Sequence, residues 1–321
     1  MNSPSLWKHV AVRAGLGIYC AAACSALASA GPFDATGVAG RVVDPGNPSA
    51  TVINPELRVW AAEVVDYSPS PGVNAANGDP TKALGPIGDL PDGSTVSLGD
   101  LTEAELNQGL PRGEITLRMA SPLRNGPGWD LAVFENAFAF FPPDDDKVFA
   151  ELAFVEVSSD GATFARFPAE SLTTTLFEPF GPAFAGIDPT DVRNLAGVHR
   201  GLVGTPFDFA DLATHPDVAS GLVRLDAIEY VRLVDIPGDG SSLDSLGREI
   251  LEAWPTTDLV FGNGGHDLDA AAGRYAVPEP AAISLAVLGG LMLAFVRFRP
   301  LKRRGFPIET PSIMPRRARG D

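Results

Sequence analysis

The residues of this chain best suited to chemistry are carboxylates that gather in short stretches and offer hard oxygen ligands. One group begins at Asp130 and ends at Glu135 and Asn136, and another is the pair Asp267 and Asp269. Ca²⁺ takes about six to eight oxygens from carboxylates, amides and backbone carbonyls, and it favours loops that wrap around it. These five residues therefore predict a Ca²⁺ site, which closes if the strands that carry the two groups pair.

Two further acidic stretches offer oxygen ligands, but each also has a simpler interpretation. The run 144–146 follows two prolines and is expected to form a solvated acidic loop. Asp235, Asp239 and Asp244 surround two glycines. This segment either contributes to a Ca²⁺ site or forms a turn rich in Gly and Asp.

Patterns typical of enzymes are weak in this sequence. His199, His215 and His266 are isolated and lack the spacing of zinc-binding pairs. The sequence contains no Gly-x-Ser-x-Gly nucleophile elbow and no Gly-rich phosphate loop before a helix. A pair of carboxylates for glycoside hydrolysis remains as the enzymatic alternative, and Glu135 and Glu151 are the first residues to test.

Alternating apolar and polar residues predict several short strands that would position these side chains. The clearest patterns cover 115–119, 131–134, 153–157, 228–234 and 259–261. Asp160-Gly161 follows the third of these and predicts a hairpin, because both residues tolerate positive φ. Many short strands joined by Gly- and Pro-rich loops predict an all-β fold of the β-sandwich class.

Helices are expected to be few and short in this domain. Thr102 and Glu105 form a capping box, which predicts a helix near 102–108. Thr205-Pro206 predicts a second short helix that runs to Leu212, with proline at the first helical position. Neither helix is long enough to change the all-β assignment.

The N-terminus has the layout of a secretory signal peptide over residues 1–30. Lys8 and Arg13 precede an apolar run at 14–27, and Ala28-Ser29-Ala30 fits a small-residue cleavage site. Both cysteines, Cys20 and Cys24, lie inside this segment. Cleavage after residue 30 would leave a cysteine-free domain at 31–276, which excludes disulfides, thiol catalysis and Cys-ligated zinc.

Charge is distributed very unevenly along the chain. The region 31–276 carries 37 of the 40 acidic residues but only 14 of the 24 basic ones, a net charge of about −23. Such a surface repels nucleic acid and anionic membranes and attracts cations. Nucleic acid is therefore not expected to be a partner.

The C-terminal part of the chain combines three features in order. A short acidic-Pro motif is followed by the uncharged run 281–296 and then by a basic cluster, and the motif and cluster comprise Val277, Pro278, Glu279, Pro280, Arg297, Arg299, Lys302, Arg303 and Arg304. As a helix, 16 uncharged residues rise about 24 Å, slightly short of a comfortable membrane span, and the arginines can reach the interface. We expect a C-terminal transmembrane helix with its basic end in the cytoplasm. The remaining Pro- and Arg-rich tail, 305–321, is expected to be disordered.

These three features resemble the C-terminal signal of PEP-CTERM proteins, the substrates of exosortase-type sorting proteases in Gram-negative bacteria. The resemblance covers 277–304 and implies a precursor anchored in the inner membrane, which is cut near 278–280 and released to the cell surface or exopolysaccharide. The family usually ends soon after the basic cluster, whereas this chain continues through 305–321.

The middle of the chain also resembles a recurrent bacterial cell-surface domain that often carries PEP-CTERM tails. The resemblance rests on the stretches 128–136, 149–161, 230–235 and 264–270. That surface domain in turn looks like jelly-roll sandwiches of the galactose-binding and discoidin type. The resemblance implies location and fold, and it implies no reaction.

Three functions of different classes follow from these observations. The chain is expected to be a non-catalytic surface or matrix component associated with exopolysaccharide. Exposed aromatic side chains would then bind carbohydrate, with Trp60, Tyr67, Trp129 and Trp254 as the candidates. The alternatives are a purely structural Ca²⁺-binding domain and a hydrolase of extracellular polysaccharide.

Overall fold

The structure is a computed structural model that describes residues 31–88, 95–139, 146–174, 186–252 and 264–278. These residues form mostly β-structure with few helices. The first strands are β1 (Val38–Ala39), β2 (Arg41–Asp44), β3 (Asn47–Ile53), β4 (Val59–Ser68), β5 (Val96–Ser97), β6 (Glu114–Leu123), β7 (Leu131–Glu135), β8 (Phe138–Ala139), β9 (Val148–Phe149) and β10 (Ala153–Ser158).

The second part of the chain continues in the same manner. Its strands are β11 (Ala165–Arg166), β12 (Glu170–Ser171), β13 (Val192–Arg193), β14 (Leu195–Ala196), β15 (Val203–Phe207), β16 (Ile228–Asp235), β17 (Asp239–Leu243), β18 (Glu249–Leu251) and β19 (Asp267–Gly273). The helical segments are α1 (Glu103–Asn107), α2 (Pro216–Ala219) and three 3₁₀ turns at Pro80–Ala83, Pro189–Asp191 and Phe209–Leu212.

One curled antiparallel sheet organises the domain. Its strands follow the order β1-β15-β7-β19-β4-β6-β16-β10-β11, with β5 beside β19 and β14 beside β10. The long strand β4 pairs with β19 at Val59 and Trp60 and with β6 over the rest of its length. Two register shifts in β4 increase its local twist and bend. This strand therefore joins one half of the sheet, β1-β15-β7-β19, to the other half, β6-β16-β10-β11.

The main core lies against both halves of this sheet. Its fully buried side chains include Leu131 of β7, Leu268 of β19, Leu117 of β6, Val155 of β10 and Val231 of β16. Alternate residues of each strand face this core, as the two-residue period of a strand requires. Packing therefore fixes the strand register, and the register in turn fixes where each strand ends.

Most of the sequence-based element predictions are confirmed. The patterns at 115–119, 131–134, 153–157 and 228–234 lie within β6, β7, β10 and β16. Asp160-Gly161 forms the turn between β10 and β11, where Gly161 has a φ of +75°. The capping box of α1 is present, because Thr102 Oγ1 accepts from the N–H of Glu105 and the Glu105 carboxylate accepts from the N–H of Thr102.

The predicted helix from Thr205-Pro206 to Leu212 is correct at its end and wrong at its start. Thr205 and Pro206 belong to β15, where they pair with Val133 and Ala132 of β7. The helical turn begins after Asp208, whose side chain accepts a hydrogen bond from the N–H of Ala210. Sheet pairing and this later cap therefore override the local preference of Thr-Pro.

Several predicted segments lie outside the described residues. They are the signal peptide, the strand at 259–261, the apolar run 281–296 and the tail 305–321. Within the described ranges, no helix is long and apolar enough to cross a membrane. The described residues end at Pro278. Val277 donates its N–H to Pro122 O at 2.8 Å.

Candidate metal centre

The pairing of β7 with β19 places the two predicted acidic groups next to each other at one end. Glu135, the last residue of β7, is the register partner of Leu268, so it lies beside Asp267, the first residue of β19. Asn136 Nδ2 donates to Asp267 Oδ2 at 2.9 Å. The predicted strand pairing is confirmed, and it brings Glu135, Asn136 and Asp267 together.

Three more carboxylates join this end of the sheet. Asp235 is the last residue of β16, Glu252 follows β18, and Asp100 stands three residues after β5, which pairs with β19. The segment before β19 packs between them. A Cβ at Gly265 would lie 2.8 Å from the Asp100 nitrogen and 2.9 Å from Asp235 Oδ1.

Asp100, Glu135, Asp235, Glu252 and Asp267 form what we call the five-carboxylate centre, and they share one hydrogen-bonding pattern. In each of them, one oxygen accepts a hydrogen bond and the other is buried without a hydrogen-bond partner among the described residues. Asp100 accepts from Leu101 N (2.8 Å), Glu135 from Ala137 N (2.7 Å), Asp235 from His266 N (2.8 Å), Glu252 from Leu152 N (2.7 Å) and Asp267 from Asn136 Nδ2 (2.9 Å).

The unpaired oxygens are Asp100 Oδ2, Glu135 Oε1, Asp235 Oδ2, Glu252 Oε1 and Asp267 Oδ1. Buried polar atoms in folded proteins nearly always have a partner, so five such oxygens at one end of a sheet require an explanation. One anchored oxygen fixes each carboxylate and leaves the second available to a ligand.

Burial and mutual repulsion raise the pKa values of these carboxylates. Burial raises the pKa of Glu135, and the charge of Asp267 raises it further. Burial likewise raises the pKa of Glu252, with the charges of Asp235 and Asp100 adding to it. Glu151 lies next to the centre, and after burial the charges of Asp267 and Glu135 raise its pKa as well. A bound cation would remove this repulsion.

Among the described residues, Arg112 and Lys82 place positive charge near the centre. Arg112 lowers the pKa of Asp235, although burial raises that pKa more strongly. Burial raises the pKa of Asp267. Hydrogen bonds from Ser97 and Asn136 lower that pKa, and the charge of Lys82 lowers it further. When they are ionised, the six neighbouring carboxylates carry more charge than these two side chains can neutralise.

His266 holds two parts of the centre in place. Its backbone N–H donates to Asp235 Oδ1, and its Nδ1 lies 2.8 Å from the carbonyl oxygen of Glu151. Nδ1 therefore carries the proton, and Nε2 is a buried acceptor without a partner among the described residues. Burial lowers the pKa of His266 to about 4, so the ring is neutral at pH 7.

The donor set fits a hard cation, because it consists mainly of carboxylate oxygens. Within the described residues, no group of three or more His, Cys, Asp or Glu side chains is already arranged as a metal-coordinating set. Binding would thus require these side chains to rearrange around the ion.

Asp130 does not belong to this centre, and the prediction that placed it there is wrong. It precedes β7, so about five residues of strand, roughly 16 Å, separate it from Glu135. Its oxygens accept from Phe209 N and Gly126 N, both at 2.7 Å. Asp130 is a buried cap that ties two loops together.

The other acidic candidates are distributed around the fold. Asp269 lies on the same face of β19 as Asp267 and adds to the raised pKa of Glu135, so it stands at the edge of the centre. Asp244 is elsewhere and pairs with Arg248 at 2.6 Å. Of the run 144–146, Asp146 is described and exposed, and the other two residues lie outside the described ranges.

The aromatic candidates have different environments. Trp129 lines an open cleft of about 690 Å³, with Arg274 4.9 Å from its ring centroid. Trp60 packs against Phe134, and the Tyr67 hydroxyl donates to Ser97 O at 2.7 Å. Trp254 lies outside the described residues.

The predicted sorting signal can be placed only at its first two residues. Val277 and Pro278 follow β19 closely, and the rest of the signal, from Glu279 through Arg304, lies outside the described residues. The last described strand, β19, ends at Gly273, four residues before Val277.

Sequence reasoning assigned no metal role to Asp100, Glu151, Glu252 or His266. They stand far apart in the chain, and the tertiary packing of segments next to strand ends brings them together. One signal was present, since each of the five carboxylates of the centre lies at, or within three residues of, a strand end.

No protein-family model matches this chain. A search of curated proteins likewise finds no significant match.

Proposed function

We propose that this protein is an exported, non-catalytic cell-surface domain whose β-sheet is stabilised by Ca²⁺ bound at the five-carboxylate centre. The observation that carries the proposal is a pattern shared by five carboxylates, in each of which one oxygen is anchored by a hydrogen bond and the other is buried and unpaired among the described residues. Ca²⁺ is favoured because carboxylate and amide oxygens are the ligands it prefers.

The cation would stabilise the folded state by reducing the repulsion between the carboxylates of the centre. Ionised carboxylates that are close together and only half satisfied by hydrogen bonds repel each other and resist desolvation. A ligand that binds only the folded state adds about 2.7 kcal/mol of stability at a concentration 100 times its dissociation constant. Extracellular Ca²⁺ modules bind with dissociation constants on the order of 10⁻⁴ to 10⁻³ M, which suits a surface protein.

Export and sorting remain part of the proposal. The signal-peptide pattern at 1–30 and the PEP-CTERM-like segment 277–304 support an inner-membrane precursor, released by a sorting protease to the cell surface and its exopolysaccharide. The finer fold belongs here as well. We infer that the curled sheet is a form of the jelly-roll sandwich, since its two halves share one core.

Thermal unfolding with and without Ca²⁺ tests the proposed function. After EDTA treatment, the full-length protein should unfold at a lower temperature, and Ca²⁺ should restore the original value. Glu252→Gln should weaken this response, because it removes a charge from the centre. Asp130→Asn is the matched control, a buried carboxylate outside the centre, and it should keep the response. A protein that contains no metal and unfolds identically in EDTA and Ca²⁺ would refute the proposal.

Association with carbohydrate is a second candidate, and the open cleft favours it. The cleft is lined by the half-buried ring of Trp129 and by polar side chains that include Asn54, Asp208, Asn194 and Arg193. An aromatic platform with surrounding hydrogen-bonding groups suits a sugar polymer. Binding to a glycan array that is lost in Trp129→Ala would support this role, and an array without signal would contradict it.

Hydrolysis of polysaccharide has less support. Glu135 and Glu151, the carboxylates considered for this reaction, are 3% and 7% exposed. A polymer chain cannot reach side chains buried to this extent without opening the sheet end. We therefore retain the non-catalytic role.

A further inference from the structure

The segment 31–37, which precedes β1, contributes to the lining of the open cleft. Phe33 and Asp34 line the cleft together with Pro189 and Arg193, which belong to the 3₁₀ turn at 189–191 and to β13. The far end of the segment is fixed to the main sheet, because β1 pairs with β15. The position of its near end, Gly31, therefore helps to determine the shape of this part of the cleft.

The near end of the segment is hydrogen-bonded to the 189–191 turn. Gly31 N donates to Thr190 Oγ1 at 2.5 Å, and Phe33 N donates to Thr190 O at 3.0 Å. The Thr190 hydroxyl in turn donates to Asp188 Oδ1 at 2.6 Å, and Thr190 N donates to the same oxygen at 2.9 Å. A chain of hydrogen bonds thus leads from the Gly31 nitrogen to a carboxylate.

A second carboxylate, that of Asp191, lies against the backbone of Gly31. A Cβ at Gly31 would overlap Asp191 Oδ1 and the carbonyl oxygen of Thr190, so this position has no room for a side chain. Because only two bonds separate a Cβ from its own backbone nitrogen, the Gly31 nitrogen lies within about 5 Å of Asp191 Oδ1. A positive charge on that nitrogen would be close enough to pair with Asp191.

Asp191 has no ion-pair partner among the described residues. Burial raises the pKa of its carboxyl group, and the charge of Asp188 raises it further. The nearby guanidinium of Arg193 pairs instead with Asp211 at 2.9 Å and with Glu170 at 3.9 Å. In the part of the chain that the structure describes, two half-buried carboxylates therefore lie near the Gly31 nitrogen without a compensating cation.

Cleavage of the predicted signal peptide would supply this cation. The predicted site is the peptide bond between residues 30 and 31. Hydrolysis by a signal peptidase consumes one water: its hydroxyl goes to the carbonyl carbon of residue 30 and its other hydrogen to the Gly31 nitrogen. The new carboxyl group then releases a proton and the new amine takes one up. A free α-amino group has an ordinary pKa of about 8, so it is mostly protonated at pH 7, and a neighbouring carboxylate favours the charged form further.

We propose that removal of the signal peptide creates an ion pair between the new ammonium group of Gly31 and the carboxylate of Asp191, which holds the segment 31–37 in place along the cleft. The ammonium group has three donors, so it can keep the bond to Thr190 Oγ1 and also reach Asp191. The unprocessed chain has an uncharged amide at this position. The inference rests on the proposed export of the protein and does not depend on the five-carboxylate centre.

An insertion separates the effect of the charge from that of the hydrogen bonds. The full-length gene is expressed in a Gram-negative host, and the exported protein is purified. Mass spectrometry of its N-terminal peptide should identify Gly31 as the first residue. Two serines inserted between residues 30 and 31 keep the cleavage site but move the ammonium group along the chain by up to about 7 Å, while the Gly31 N–H can still donate to Thr190.

Thermal unfolding in saturating Ca²⁺ then measures the coupling between the two charges. Asp191→Asn should lower the unfolding temperature of the natural exported protein by about 2 °C, and it should not lower that of the insertion variant. Equal losses in both proteins would overturn the inference and leave export standing. A first residue other than Gly31 would also overturn the inference alone, whereas a chain that keeps its signal peptide would overturn the proposed export as well.

Reactivity of the N-terminal amine gives an answer without any substitution of Asp191. At pH 7, an acetylating succinimidyl ester should modify the amine of the insertion variant at least about threefold faster than that of the natural protein, because pairing keeps the natural amine protonated. Mass spectrometry of the N-terminal peptide measures both rates. Equal rates would contradict the ion pair, and this comparison decides the question if Asp191→Asn does not fold.

Discussion

Glu135 and Asp267 lie side by side although 131 residues separate them, because the end of β7 pairs with the start of β19. Asn136, the neighbour of Glu135, donates to Asp267 Oδ2 at 2.9 Å and fixes the pair. This pair forms one side of the five-carboxylate centre. The other three carboxylates reach it because their own strands or loops end at the same edge of the curled sheet.

Gly265 should be essential for the packing around Asp100 and Asp235 in the five-carboxylate centre. Gly265→Ala places a side chain at a φ of +98° and forces it against Asp100 and Asp235. We expect a loss of about 3 kcal/mol in the free energy of unfolding and at least tenfold weaker Ca²⁺ binding. Gly221→Ala is the matched control, because its φ is +80° but no atom lies within 4 Å of the new Cβ. The control should cost about 1 kcal/mol and bind Ca²⁺ normally, and equal effects of both substitutions on Ca²⁺ affinity would contradict this assignment.

Asp130 should be important for stability and unimportant for cation binding. Asp130→Ala leaves the buried N–H of Phe209 and the N–H of Gly126 without acceptors, at a cost of about 3 kcal/mol in total. Urea unfolding measures this loss, and Ca²⁺ titration of the folded variant should give the affinity of the natural protein. A loss of bound Ca²⁺ would contradict this prediction and indicate that Asp130 is a Ca²⁺ ligand.

Asp130 should also contribute to the pH dependence of stability. Burial raises its pKa to about 6, from 3.8 for a free side chain. The folded state then holds a proton that the unfolded state has released, so this contribution to stability is lost as the pH rises from about 4 to 6. In EDTA, the unfolding temperature of Asp130→Asn should fall less over this range than that of the natural protein. Parallel pH profiles would show that Asp130 does not titrate in the folded protein in this range.

The ion-pair network beside the β10–β11 hairpin should stabilise the sheet. The Glu156 side chain is 7% exposed and contacts Arg166 Nη2 at 2.7 Å and Arg232 Nη2 at 2.5 Å. Glu156→Gln leaves both guanidinium groups without a counterion, and we expect a loss of about 2 kcal/mol in denaturant unfolding. Glu63→Gln is the control, since its 3.8 Å pair with Arg118 is exposed and should contribute less than about 0.5 kcal/mol. A similar loss in both variants would mean that burial of Glu156 does not strengthen its pairs.

Much of the fold was predictable because its signals are local. The alternation in 153–157 together with Asp160-Gly161 predicts β10 and its turn, and the Thr102–Glu105 capping box predicts α1. The Thr205-Pro206 prediction failed because β15 gains three register pairs with β7, and a local preference for helix does not outweigh them. Pairing partners are set by non-local contacts, which residue patterns do not record.

The sequence by itself determined the all-β class of the domain, the acidic and cysteine-free composition of residues 31–276, and the grouping of acidic residues that includes Glu135 and Asp267. These properties depend on residue type and short-range spacing. The tertiary structure decided which carboxylates meet. It removed Asp130, which lies at the far end of β7, it added Asp100 and Glu252, and of the segment 235–244 it brought in Asp235. The physical reason is that burial of one face fixes the register of each strand, and the register determines which strand ends share an edge of the sheet.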